Sequence, residues 1–84
     1  MDDKMRIFFI RSKLRLEVLK ELAQKPQIAS FLSEKMKKHR ESISRVFIDL
    51  QKEGLAKCEK PELPNFRFYK ITLKGKEVLK EKEK

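Results

Sequence analysis

SISRVFIDLQKEGL, residues Ser42 to Leu55, is the stretch whose reading decides the fold. Ile43, Val46, Phe47 and Leu50 recur at i, i+3, i+4 and i+7, which places four apolar side chains on one stripe of a helix with 3.6 residues per turn. Opposite that stripe fall Glu41, Ser44, Arg45, Ile48, Asp49 and Lys52. Gly54 then supplies a left-handed C-terminal cap, and Leu55 opens a strand pattern. The spacing predicts a helix over 39–53, packed by one face and polar and basic on the other, that feeds directly into a β-hairpin.

On the N-terminal side, residues 27–36 read as a second short helix with Ile28, Phe31 and Leu32 on its packed side. Lys37, Lys38 and His39 form the turn between the two, so the pair reads as a helix-turn-helix. Ahead of it, Ser12 can cap a helix over 12–25 in which Leu14, Val18 and Leu22 line one face while Leu16, Leu19 and Ala23 line another. Pro26 ends that helix, because the residue before a proline is pushed out of the α region. Residues 1–11 are a lead-in whose apolar run, Ile7 to Ile10, fits a strand or the first turns of a helix alike.

On the C-terminal side, residues 55–72 split into two short runs around Pro61–Asn65, a hairpin with a loop longer than a two-residue turn. Tyr69, Ile71 and Leu73 alternate inward, with Arg67 on their side near the tip and Phe68 on the other face. Cys58 is expected as a small buried residue of the first run. Thr72 reads as the cap of a last helix over 73–82, anchored by Val78 and Leu79. Gly75 in its first turn is about 1 kcal/mol less favourable than alanine there, which implies a close helix crossing. The fold class is mainly α with a small β-hairpin, α+β, in one domain over 1–84.

Composition limits the functions available. A chain of 84 residues buries only about 60% of its unfolded surface, so a second copy would help cover its apolar faces. Hydrophobic content of 39% beside 42% charged residues is too apolar and too periodic for disorder. No apolar run approaches the roughly 20 residues that span a bilayer, and the acidic start MDDK lacks the basic region of a signal peptide. A cytoplasmic location without membrane attachment is expected. The net charge of +9, from 22 Lys and Arg against 13 Asp and Glu, favours a polyanion through counterion release. A Lys- and Glu-rich surface also suits a heat-adapted protein. One Cys58 and one distant His39 build neither a disulfide framework nor a spaced zinc site. With no glycine-rich phosphate loop and no nucleophile beside a base, neither catalysis nor a cofactor is expected.

Four blocks then carry a resemblance. RSKLRLEVLKEL (Arg11–Leu22), IASFLSEKM (Ile28–Met36), SISRVFIDLQKEGLAK (Ser42–Lys57) and FYKITLKGKEVL (Phe68–Leu79) are similar, in order and spacing, to the successive blocks of winged helix-turn-helix transcriptional regulators of the ArsR and MarR type, archaeal or bacterial. The resemblance implies a winged helix-turn-helix that regulates transcription by binding double-stranded DNA. Its recognition helix would enter the major groove, its wing would lie on flanking DNA, and its terminal helices would build a homodimer. Two departures matter. Metal-sensing ArsR members carry paired cysteines on the recognition helix, and this one has none. The chain is also shorter than a typical MarR protein, whose long terminal helices frame an effector pocket, so no small-molecule effector is expected.

The residues expected at DNA follow from position. Arg45 lies opposite the apolar stripe about one turn into the helix, where it can reach a base edge such as guanine, although a solvated surface arginine would look the same. Arg40, Ser42 and Ser44 flank it, with helix capping as the plainer role for Ser42. Lys37 and Lys38 in the turn suit phosphates. Lys60, Asn65 and Arg67 belong to the wing, where a charged tip also serves solubility. Ile7, Phe8, Phe9 and Ile10, together with Leu16 and Leu19, are expected to form the homodimer surface. The alternative function is a winged-helix protein-interaction module of a transcription or replication assembly, for which Ile48 and Asp49 leave room. RNA binding lacks an aromatic stacking platform.

Overall fold

The structure, a computed structural model, describes residues 2–59, 62 and 67–83. Its elements in chain order are α1 (Asp3–Ile10), α2 (Lys13–Gln24), α3 (Ala29–Met36), α4 (Arg40–Lys52), β1 (Ala56–Glu59), β2 (Phe68–Ile71) and α5 (Leu73–Glu83). Among the described residues, no helix is long and apolar enough to cross a membrane.

The lead-in is a helix. Asp2 caps it by accepting from the Met5 backbone N–H at 2.8 Å, and Asp3 places a second negative charge in its first turn, where the helix dipole favours one. Met5 and Phe9, four residues apart, therefore meet on one side and are buried in the core, while Ile7 and Ile10 stay exposed. The expected homodimer surface accordingly loses two members. Phe9 and Leu19 are 3% and 0% exposed within the single chain, because α1, α4, β2 and α5 all pack on α2 and both side chains join the one core.

α2 begins at Ser12, which takes the cap position without a side-chain hydrogen bond, and ends at Lys25 in the extended conformation that Pro26 demands. Val18, Leu19 and Leu22 are its buried residues, and Ala23 is exposed rather than packed. In α3 the packed residues are Leu32 and Ser33, whereas Phe31, read as packed, is 48% exposed. The α4 stripe is as the spacing predicts: Ile43, Val46, Phe47 and Leu50 are all buried. Gly54 closes that helix at φ 75°, with the Leu55 N–H donating back to the Leu50 carbonyl at 2.9 Å, a turn that only glycine enters without strain.

β1 and β2 pair antiparallel, Ala56 opposite Ile71 and Glu59 opposite Phe68. Tyr69 and Ile71 face inward and Phe68 outward, while Leu73, expected inward, is exposed because the chain has already turned into α5. Cys58 is half-buried, not buried, although it pairs with the inward-facing Tyr69 on the covered face of the sheet. Gln27 adds a one-residue third strand: its N–H donates to the Tyr69 carbonyl at 3.0 Å and its carbonyl accepts from the Tyr69 N–H at 2.9 Å. Its side chain, 2% exposed, donates to the Glu21 carbonyl at 3.4 Å, so this buried amide is satisfied.

Thr72 fastens the last helix. Its hydroxyl donates to the Gly54 carbonyl at 2.6 Å and accepts from the Gly75 N–H at 3.0 Å. A Cβ on Gly75 would collide with the Leu55 carbonyl oxygen and lie 2.7 Å from Ile71 Cγ1, so the glycine does mark a close approach, but to the chain before β1 and to β2 rather than to another helix.

Candidate nucleic-acid interface

The stripe that buries α4 dictates what the helix presents outward. Arg45 and Ile48 are exposed, Ser44 and Asp49 half-buried, and Arg40 and Lys52 mark the two ends. A shallow groove of about 460 Å³ runs along this side, bordered by Arg40, Glu41, Ser44, Arg45, Ile48, Asp49 and Lys52. A second groove of about 190 Å³ lies between the start of α3, the side of α4 and β2. Ala29, Ser30, Arg40, Ser44, Arg67 and Tyr69 are among its borders. Arg40, Ser44 and Ile48 border both, so the outer side of α4 continues without a break to the base of the hairpin.

Tyr69 holds that junction. Its ring stacks on Phe47 with centroids 4.5 Å apart and planes 26° apart, which ties the hairpin to the buried side of α4. Burial, then the neighbouring Cys58, pushes its hydroxyl above the usual tyrosine range, so it stays a neutral hydrogen-bonding group at physiological pH.

Sequence reasoning placed Arg40, Ser44, Arg45 and Arg67 at the interface, and the structure brings these four onto the joined grooves. Lys37, Lys38 and Ser42 are exposed close by but border neither groove. Lys60 and Asn65 lie outside the described residues. Ser30 is not singled out by the sequence, and Lys52, on the outward face of α4 that favours DNA, is not among the contacts named from it. Lys52 was legible on the outward side of α4, whereas Ser30 is marked by nothing in the periodicity and needs the α3 start to be seen beside Arg67. Among the described residues, none of Lys37, Lys38, Arg40, Arg45 and Lys52 takes part in an ion pair.

The turn contains a strained residue. Lys37 ends α3 in the left-handed region at φ 56°, ψ 47°, and the Lys38 N–H donates to the Ser33 carbonyl at 2.9 Å. Glycine is the residue that usually closes a helix in this way, and a side chain there is disfavoured by roughly 1 kcal/mol.

No protein-family model and no curated protein matches the chain. Solved structures do. The transcriptional regulator BldR from Sulfolobus solfataricus is similar over 83% of this chain and 51% of its own, with a TM-score of 0.73 and 24% identity. An apo form of a doubly substituted ZitR from Lactococcus lactis is similar over 94% of this chain and 61% of its own, with a TM-score of 0.75 and 20% identity. The chain thus spans about half to three-fifths of the length of these two proteins. At such identities the likeness establishes architecture, and these five helices with their antiparallel hairpin form a winged helix-turn-helix.

Proposed function

We propose that this chain is a sequence-specific double-stranded DNA-binding transcriptional regulator of the ArsR/MarR type, with α4 in the major groove and the hairpin on flanking DNA. The observation that carries the reading is the joined groove system. It presents Arg40, Arg45, Lys52 and Arg67 on one side of the molecule, and α4 supplies its centre. The net charge of +9 over the whole chain adds a long-range attraction for phosphate. The fold shared with BldR, itself a transcriptional regulator, supports the reading.

Arg45 is the proposed base reader. Arg45→Ala should cost about 1–3 kcal/mol on the preferred duplex and narrow the gap to a scrambled one, while Lys38→Ala and Arg67→Ala weaken both duplexes alike. Binding isotherms on a duplex selected from a random pool and on its scramble make the comparison. Unchanged discrimination in Arg45→Ala would remove it from the reading.

Lys37 is a further proposed phosphate contact, exposed in the turn at a left-handed backbone position that glycine would fit with less strain. Lys37→Gly is expected to raise the unfolding free energy by about 0.5–1 kcal/mol and to weaken all duplexes to a similar degree. Denaturant melts and the same isotherms report the two effects. A variant that is both more stable and equally tight on DNA would assign Lys37 no role at the duplex.

A homodimer belongs to the proposal. Ile7 and Ile10 are 51% and 74% exposed on α1, and a two-fold partner would cover them. Its recognition helices would sit about 34–36 Å apart on a near-palindrome. The interaction-module reading draws on Ile48, which is 47% exposed in the middle of the basic side. Loss of a protein partner on Ile48→Ala, with DNA binding intact, would favour it.

A further inference from the structure

We infer that Arg15 is a positioning residue for α4: it engages the Asp49 carboxylate at the border of the outer groove and so keeps it from pairing with Arg45, which stays available to the duplex. The inference rests on the DNA-binding reading above.

Arg15 projects from α2 with its side chain 21% exposed and meets two other helices at once. Nη1 donates to the Phe8 carbonyl at 2.7 Å, and Nη2 donates to Asp49 Oδ2 at 3.2 Å. The guanidinium carbon stands 4.1 Å from the centroid of the Phe8 ring. The Phe8 carbonyl is one of the last four of α1, which have no partner inside their own helix, so the guanidinium caps α1 with a positive charge where the dipole favours one. A planar fork reaches a carbonyl and a carboxylate together while covering a ring. An ammonium does not.

Asp49 follows Arg45 by one helical turn and, like Glu41 one turn before Arg45, borders the same outer groove as Arg45 and Lys52. Residues four apart on a helix are natural ion-pair partners, yet the Asp49 carboxylate is bonded to Arg15. Without Arg15 that carboxylate is released toward Arg45, competing for the base reader and repelling phosphate. Arg15 therefore couples the seating of α1 to the charge that α4 shows the duplex.

The test is a double-mutant cycle with a duplex selected from a random pool, each variant first shown to be folded by circular dichroism. Arg15→Ala should weaken binding about tenfold with Asp49 in place and less than about twofold in the Asp49→Asn background. Arg15→Lys, which keeps the charge but loses the fork, should still bind several-fold more weakly than the parent. An equal loss in both backgrounds, or full affinity in Arg15→Lys, overturns the inference, because Arg15 would then act as a plain charge or a structural prop. Failure of the parent protein to bind any duplex overturns the DNA reading itself, whereas failure of the cycle alone overturns only the role of Arg15.

Discussion

Affinity for duplex DNA is expected to fall by roughly three to five decades between about 50 and 200 mM salt. The magnitude follows from the surface. Each chain offers Arg40, Arg45, Lys52 and Arg67 along the grooves and Lys37 and Lys38 at the turn. If each copy of a dimer places about three to five of these on phosphates, about 6–10 counterions are released on binding, and the logarithm of affinity falls with the logarithm of salt by about 0.9 per contact. Titrations of one selected duplex at four or more salt concentrations give the slope. Removing Lys38 or Arg67 should then flatten it by about one unit per subunit. A flat response would eliminate the duplex as the partner of this surface.

Phe47→Ala should lower the unfolding free energy by about 3–5 kcal/mol. Phe47 is 1% exposed, lies in the buried stripe of α4, and carries the Tyr69 ring that seats the hairpin. Its removal opens a cavity and unstacks Tyr69 in one step. A chain of this size is stabilised by roughly 4–13 kcal/mol in all, so the variant would stand near the edge of folding. Urea melts on parent and variant measure the loss, with Ile48→Ala as the surface control at under about 0.5 kcal/mol. A Phe47→Ala loss below about 1 kcal/mol would contradict its placement at the centre of the core.

The parts of the molecule that were legible beforehand are those where one physical rule dominates. The α4 stripe repeats with the helical period and every member is buried; Gly54, Thr72 and Gly75 each mark a backbone demand that few other residues meet. The lead-in was ambiguous because a run of four consecutive apolar residues has no period. The signal that resolves it was present in Asp2 and Asp3, whose cap and first-turn charge specify a helix start. Phe9 and Leu19 read as outward because which faces of α1 and α2 are covered depends on how the other elements pack around them. Gln27 was illegible, because nothing in a polar residue after a proline announces a strand of one residue. Within the interface, the arginines were readable from helix and hairpin position, but the meeting of Ser30, Arg67 and α4 depends on how α3 and β2 pack.

The two hydrogen bonds between Gln27 and Tyr69 have a consequence for how such a protein diversifies. They lock the base of the wing to the segment that launches α3, so the two arms that would grip a duplex share one rigid root. Beyond Glu59 and Arg67, lengthening or rewriting the tip changes what the hairpin touches without disturbing this root. The spacing between wing base and α4 therefore stays fixed whatever the sequence between the two strands. The anchoring pair uses backbone groups alone, so mutation at position 27 can retain the bridge even when the side chain is lost.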